Sequence, residues 1–254
     1  SVLSVFERES IDFFAAVLSR HHVSVCLHPL THPSGQLKET SLNETPRSTR
    51  QIPLQSFSDV DLIPPIQRAL KAAKYDKPTA IQAEAIPQAL AGRDILGCAQ
   101  TGTGKTAAFV LPVLNQLGST RRRAKRGLPL ALILTPTREL ALQIADNIQK
   151  YGRFLKIRAT LVYGGVSQVH QVRSLRRGTR IVVATPGRLL DLMQQGHLQL
   201  DQLDHFILDF NQIFRSEWAR ISEIIIKTVF YNGTNRDLHI RKECFSCVCQ
   251  QMSS

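Results

Sequence analysis

The chain has 254 residues, of which 43% are hydrophobic and 20% charged, as is ordinary for a globular protein with a buried core. No apolar run approaches the ~20 residues that a membrane-spanning helix needs, so we expect no membrane association. The formal net charge is +12, and residues 51–209 carry 21 basic against 11 acidic side chains. This excess favours a polyanionic partner, because each neutralised phosphate releases condensed counterions. An ordinary basic enzyme is the alternative.

Composition divides the chain into three zones. Residues 1–50 contain no motif and are predicted to be a poorly ordered extension, and the start at Ser1 rather than Met indicates a fragment or a processed form. Acidic residues near the start argue against a secretory signal. Five cysteines without framework spacing indicate a reducing compartment, and we expect a cytoplasmic protein.

The middle zone, residues 51–209, alternates short apolar runs with amphipathic segments, which is typical of βαβ units around a parallel sheet. Each predicted strand is short and largely apolar, as a strand covered on both faces should be. Thr79 is a predicted helix N-cap. In chain order the predicted elements are helices near 60–73 and 79–90, strand Asp94–Cys98, helix 105–117, strand Ala131–Thr135, helix 137–152, strand Ala159–Tyr163, helix 167–176, strand Ile181–Ala184, helix 188–194 and strand His205–Asp209.

Residues 99–106, with the sequence AQTGTGKT, follow a predicted strand and open a predicted helix. Glycines let backbone N–H groups converge on phosphates, and the helix N-terminus adds partial positive charge. Lys105 would reach the β- and γ-phosphates, and the Thr106 hydroxyl would ligate Mg²⁺. Ala99 stands where the general pattern has glycine. We assign nucleotide binding to Gln100, Thr101, Gly102, Thr103, Gly104, Lys105 and Thr106.

The motifs around this loop resemble those of the DEAD-box RNA helicases. Residues 75–82, with the sequence YDKPTAIQ, look like the Q motif of that family, although Lys74 stands where members often carry glycine. The resemblance implies that Tyr75 and Gln82 contact ATP, because an amide can pair with both N6–H and N7 of adenine. It also implies that Phe57 covers the adenine.

Three further loops match family motifs in family order, each just past the end of a predicted strand. Parallel sheets place ligands at this edge. Hydroxyls, glycine N–H groups and arginines there suit contacts to phosphate and sugar rather than to bases. The resemblance therefore implies binding of single-stranded or short duplex RNA through its backbone. The residues are Pro136, Thr137 and Arg138 in the motif at 136–140, Gly164 and Gly165, and Thr185, Pro186, Gly187 and Arg188.

The resemblance breaks within the motif that names the family. Asp209 matches its first acidic residue, which implies a second ligand for Mg²⁺ beside Thr106. Phe210 stands where the family has the glutamate that activates water, and phenylalanine cannot accept a proton. We therefore expect no intact catalytic residue, and ATP hydrolysis near background. No Ser-Ala-Thr motif or second motor domain follows. The first domain of the family normally adds further strands and helices after this motif, so without them we expect the sheet to expose an edge that would otherwise be paired.

Residues 210–254 resemble no family and are predicted to be an unrelated tail, which a truncation, a frameshift or an alternative exon would explain. His239, Cys244, Cys247 and Cys249 lack the paired spacing of structural zinc sites, so free thiols are the favoured alternative. The basic run 121–126 is either an auxiliary RNA contact or a solvated loop.

The sequence thus predicts an α/β fold: a RecA-like P-loop NTPase domain with a central parallel β-sheet flanked by helices, incomplete, with irregular extensions at both ends. We expect ATP and Mg²⁺ as cofactors and RNA as partner, while protein partners stay open. The function is that of an ATP-dependent RNA helicase, or of a hydrolysis-deficient module that binds ATP and RNA. A different P-loop enzyme, such as a small-molecule kinase or an ABC-type ATPase, would not require these motifs in this order.

Overall fold

The computed structural model describes residues 24–26, 54–98, 102–210 and 245–249. Its α/β fold is a parallel sheet with helices on both faces, which confirms the predicted fold class. The strands are β1 (Ser24–Cys26), β2 (Ile95–Cys98), β3 (Ala131–Leu134), β4 (Ala159–Val162), β5 (Ile181–Ala184), β6 (His205–Phe210) and β7 (Phe245–Cys249). After a 3₁₀ turn at Phe57–Asp59, the helices are α1 (Pro64–Ala72), α2 (Ala80–Leu90), α3 (Lys105–Ser119), α4 (Arg138–Tyr151), α5 (Val169–Arg176) and α6 (Pro186–Gln194).

The described strands form one sheet in the order β1-β2-β7-β6-β3-β5-β4, with every pairing parallel. The strand β6, which contains Asp209, pairs with β3 on one side and with β7 on the other, so it is not itself an edge of the described sheet. The expected exposure of a sheet edge stays a prediction. The two segments placed outside the domain by the sequence each contribute a strand, β1 and β7. Of the four tail residues considered for zinc, His239 and Cys244 lie outside the described residues.

Alternation along the central strands gives the molecule two hydrophobic layers. Ala131 and Ile133 of β3 face the core formed with α1, α3 and α4, whereas Leu132 and Leu134 face the core formed with α5 and α6. These four side chains are fully buried, as expected for a strand that helices cover on both faces. The strands are therefore held on both sides, and the loops at their ends are fixed in position.

Lys74 lies in the left-handed region of backbone conformation, with φ 55°. This is the residue that stands where the family that the sequence resembles often has glycine, and the left-handed backbone gives a physical reason for that preference. It ends the turn after α1, where its N–H donates to the carbonyl of Lys71 at 3.1 Å. A side chain at this φ costs free energy that glycine would not.

Lys74→Gly should therefore stabilise the domain by about 0.5–1 kcal/mol, the relief of left-handed strain less the extra chain entropy of glycine. Lys71→Gly, which lies inside α1, should destabilise it by about 1 kcal/mol. Chemical denaturation of both variants measures the difference. Equal destabilisation by the two substitutions would contradict the assigned strain.

His205 begins β6 and is 4% exposed. Its Nδ1 has no hydrogen-bond partner among the residues that the structure describes. Burial lowers the pKa of His205 below its ordinary value of 6.5, and the nearby Asp204 carboxylate only partly opposes this. The folded state therefore keeps the imidazole neutral while the unfolded state takes up a proton, so this residue makes the free energy of unfolding fall as pH drops below about 6.5.

His205→Gln should flatten the dependence of unfolding free energy on pH between about pH 7 and pH 5, because the group that titrates differently in the two states is gone. The exposed His170 provides the matched control, His170→Gln. Denaturant titrations of parent and variants across this range give the slopes. If His205→Gln kept the parent slope, the buried neutral imidazole would be ruled out.

Candidate functional site

The parallel sheet brings the predicted motif loops to one edge, because each follows the carboxyl end of a strand. The phosphate loop follows β2, and Asp209 lies near the end of β6. The other loops follow β3, β5 and β4, which are neighbours in that order. Along the edge, the nucleotide motifs therefore lie at one side, Asp209 in the middle and the predicted RNA loops at the other side.

In the phosphate loop, Gly102 and Gly104 have positive φ angles of 81° and 90°. Gly104 is the N-cap of α3, and no side chain caps this helix end among the described residues. The start of a helix carries partial positive charge and favours an anion, as phosphate binding requires. Thr103 is half-buried, and both Thr103 and Lys105 make polar or electrostatic interactions within the protein. Of the predicted nucleotide ligands, Gln100 and Thr101 lie outside the described residues.

Gln82 joins the Q motif to the phosphate loop. Its side chain is 1% exposed, and its Nε2 donates to the carbonyl of Gly104 at 3.0 Å. Its Oε1 accepts from the N–H of Thr79 at 3.0 Å, which fixes the start of α2 and confirms Thr79 as the N-cap. An amide can make four hydrogen bonds, so one N–H and one lone pair remain for a base. The contact with adenine stays a prediction. The hydrogen bond from Gln82 to Gly104, which we call the clasp, is a role that the sequence did not reveal.

The two aromatic residues assigned to nucleotide binding lie close together, with 6.5 Å between the ring centroids of Phe57 and Tyr75. Phe57 is 2% exposed and belongs to the core, so the structure shows it supporting the Q motif. Tyr75 is half-buried between Tyr151 and the ammonium group of Lys150, which is 4.8 Å from its ring centroid. Burial and the Tyr75 hydroxyl raise the pKa of Tyr151 above its ordinary range. Contact of either ring with adenine stays a prediction.

Asp209 and Lys105 form the buried charged centre of the site. Asp209 is 6% exposed and Lys105 is 8% exposed. Burial raises the pKa of Asp209 to about 6, and the positive charge of Lys105 works against this rise. A buried carboxylate with a raised pKa gains from a nearby divalent cation, and carboxylate and hydroxyl oxygens are ligands that Mg²⁺ accepts. Thr106, half-buried in the first turn of α3, supplies such a hydroxyl, so this residue set fits the ion.

The loop after β3 contains Thr137 and Arg138. The Thr137 hydroxyl accepts from the N–H of Leu140 at 3.3 Å and caps α4. Arg138 is exposed, and its guanidinium carbon lies 4.9 Å from the ring centroid of Tyr163. Tyr163 directly precedes the glycine pair after β4. The contact therefore joins two of the predicted RNA loops, and an aromatic residue before two glycines is the signal that sequence reasoning passed over.

Gly164 and Gly165 are exposed, and no atom of the described residues lies within 4 Å of the position that a Cβ would occupy in either. Both leave open backbone to a ligand. Next to them, Arg188 donates from Nη1 to the carbonyl of Val166 at 3.2 Å, and its Nε lies 3.8 Å from Asp191. The Arg188 side chain is only 14% exposed. Arg188 therefore holds the glycine loop, whereas Arg138 presents its charge outward.

The remaining predicted RNA residues differ in exposure. Thr137 is exposed and Pro136 is half-buried, so the loop after β3 is open to a ligand. Pro186 is buried at the first position of α6, where proline favours helix initiation. Thr185 and Gly187 are half-buried, and the Thr185 N–H donates to the carbonyl of Val162 at 2.9 Å. The loop after β5 is thus locked to β4, and RNA contact by these residues stays a prediction.

Comparison with known proteins decides the family. The family model described as DEAD/DEAH box helicase matches residues 79–236, more than half of the chain. The chain belongs to this family. The match continues past Asp209, where the sequence analysis placed the end of the resemblance.

Curated relatives support the assignment. The chain is 44% identical over 155 residues to the ATP-dependent RNA helicase DeaD of Mycobacterium tuberculosis, covering 61% of this chain and 27% of that protein. It is 43% identical over 192 residues to the ATP-dependent rRNA helicase RRP3 of Kluyveromyces lactis, covering 75% and 38%. It is 41% identical over 157 residues to the ATP-dependent RNA helicase dbp2 of Emericella nidulans, covering 62% and 28%. The chain therefore spans well under half the length of each.

The structure also bears on the membrane prediction. Among the described residues, no helix combines the length and the apolar character needed to cross a bilayer.

Gly104→Ala should destabilise the domain by about 2 kcal/mol or more, because the added Cβ meets the Gln82 side chain and the φ is unfavourable for alanine. Gly102→Ala is the matched control: it has the same kind of φ, but no atom of the described residues lies within 4 Å of the new Cβ. It should cost only about 1 kcal/mol. Denaturation of both variants measures the costs. Equal losses would mean that the clasp between Gln82 and Gly104 does not form.

Proposed function

We propose that this chain binds Mg²⁺–ATP and the backbone of RNA as the first RecA-like motor domain of an ATP-dependent RNA helicase, and that it does not itself hydrolyse ATP at a helicase rate. The observation that supports this best is the arrangement of one sheet edge. At this edge the Gln82–Gly104 contact and the buried Lys105–Asp209 centre lie beside the loops that follow the neighbouring strands β3, β5 and β4.

The nucleotide would lie across the start of α3. Backbone N–H groups after Gly102 and Gly104 face the phosphates, and the Lys105 ammonium neutralises their charge. Gln82 keeps one donor and one acceptor for adenine while it holds the phosphate loop. Adenine recognition and phosphate binding are then coupled through a single side chain.

Thr106 and Asp209 would hold Mg²⁺, which neutralises charge on the phosphate oxygens when bound. The buried position of Asp209 favours this, since a cation relieves the unfavourable ionisation of its carboxyl group. Lys105 helps to keep the same carboxylate charged and ready to coordinate.

RNA would contact the loops at 136–138, 164–165 and 185–188, of which the first two are the more exposed. The exposed Arg138 provides a charged donor for phosphate, and Gly164 and Gly165 provide open backbone N–H groups. The chemistry present in these loops suits phosphate and sugar rather than base edges, so we expect weak dependence on RNA sequence.

Hydrolysis needs a group that orients and activates water, and Phe210 stands next to Asp209 in the sequence where the family carries glutamate. Phosphoryl transfer depends on such positioning and on charge stabilisation. The alternative function, a module that binds ATP and RNA without turnover, follows from this one substitution. We therefore propose binding without helicase-rate hydrolysis for the chain as it stands.

The pure chain should bind Mg²⁺–ATP, with binding lost in Lys105→Gln because the charge that meets the phosphates is removed. It should show no RNA-stimulated release of phosphate. Nucleotide binding by calorimetry and phosphate release measured with and without single-stranded RNA test both parts.

A version carrying the Asp-Glu-Ala-Asp motif of the family and its downstream sequence is the positive control, and it should hydrolyse ATP when RNA is added. RNA-stimulated phosphate release by the parent chain, abolished by Lys105→Gln, would refute the hydrolysis defect. Absence of nucleotide binding in a folded parent chain would refute the nucleotide site.

A further inference from the structure

Two segments at the opposite edge of the sheet are strongly basic. Residues 120–127 and 173–180 together carry nine arginines and lysines and no acidic residue. They lie before β3 and before β5, at the amino ends of these strands. The motif loops described above follow the carboxyl ends of the same strands. We call the two segments together the basic surface.

Two hydrogen bonds and one close backbone approach hold the two segments against each other. The N–H of Gly127 donates to the carbonyl of Leu175 at 3.1 Å. Arg180 donates from Nη2 to the carbonyl of Thr120 at 3.3 Å. The carbonyl of Ala124 lies so close to Gly178 that a Cβ there would meet it at 2.7 Å. These contacts fix the two segments that carry the charges, so the basic surface is not a free loop.

Two of the nine basic residues make contacts within the protein that help to hold the two segments in place. Arg122 pairs with the Asp204 carboxylate and donates to the carbonyl of Gln202. Arg180 is half-buried, and burial lowers its pKa while Asp204 opposes this. The other seven are exposed, with no ion pair to any described residue. They are Arg121, Arg123, Lys125, Arg126, Arg173, Arg176 and Arg177.

We infer that the basic surface is a second RNA-binding surface, which holds the phosphate backbone of a strand that extends beyond the motif loops. Arginine forks match phosphate oxygens, and neutralising several phosphates releases counterions. The exposed large apolar side chains of the described residues, Leu142, Phe154, Val166 and Val169, all lie outside the basic surface. The buried centre of a protein–protein interface is typically apolar and depleted in charge, so the chemistry favours a nucleic acid. The inference rests on the proposed function only in taking RNA as the ligand.

The position of the surface sets a length requirement. It lies at the far end of strands β3 and β5 from the motif loops, and each strand has four residues, or about 13 Å at ~3.3 Å per residue. We expect an oligonucleotide of ~8 residues, within the ~4–16 that one binding groove covers, to occupy the motif loops alone. A longer strand can engage both surfaces. We therefore expect only the longer RNA to bind the basic surface.

The test uses the full chain and the triple variant Arg123→Gln/Arg126→Gln/Arg177→Gln. The matched control removes three exposed charges outside the surface, Lys71→Gln/Lys74→Gln/Arg93→Gln. Affinity for oligouridylates of ~8 and ~40 nucleotides is measured across a salt series. Unfolding curves of both variants show whether the domain remains folded.

For the long RNA, the basic-surface variant should bind roughly 10- to 100-fold more weakly at ~0.1 M salt, and the slope of log affinity against log salt should fall by about 2. The short RNA should bind the parent and the variant equally. The control variant should keep the parent slope with both. This pattern supports the inference.

If the folded basic-surface variant kept the affinity and the salt slope of the parent for long RNA, the inference would be overturned. The charges would then be assigned to binding an acidic protein partner. Equal losses for short and long RNA would overturn it as well, because the motif loops would then be affected. If the parent bound neither RNA, both the inference and the RNA-binding part of the proposed function would be overturned. If the parent bound both lengths equally tightly, the second surface alone would fail.

Discussion

The parallel alignment of the strands is the constraint on which the site depends. Since β2, β6, β3, β5 and β4 all run in the same direction, their carboxyl ends meet at one edge, and so do the loops that follow them. Residues distant in sequence, such as Lys105 and Asp209, become electrostatic neighbours in this way. Two hydrophobic layers cover the strands and keep this edge in place. Helix α3, which begins at the end of the phosphate loop, packs in one of these layers.

Within that edge, the Gln82 amide links parts with separate tasks. It fixes the start of α2 through Thr79 and the phosphate loop through Gly104. The Arg138–Tyr163 and Arg188–Val166 contacts make a similar connection between the other three loops. The site is thus a set of coupled loops rather than a row of independent motifs, and a ligand that moves one loop must act on its neighbour.

Much of this architecture could be predicted from the sequence, because alternation and motif spacing are local signals. The five central strands and the six helices of the middle zone all form within a few residues of their predicted bounds, and Thr79 caps α2 as predicted. Side-chain partners could not be predicted, since they depend on which segments meet in space. The clasp from Gln82 to Gly104, the burial of Phe57 and the docking of 120–127 against 173–180 all belong to this class. The strand β7 between β2 and β6 was missed because the tail matched no known motif.

Hydrogen–deuterium exchange with each ligand tests most directly the central claim, that one sheet edge holds both nucleotide and RNA. We expect Mg²⁺–ATP to slow exchange at 102–106 and near Gln82, and a short RNA to slow exchange at 136–140, 164–165 and 185–188. Protection by either ligand confined to regions away from these loops, in a chain shown to bind it, would mean that this edge is not the binding site.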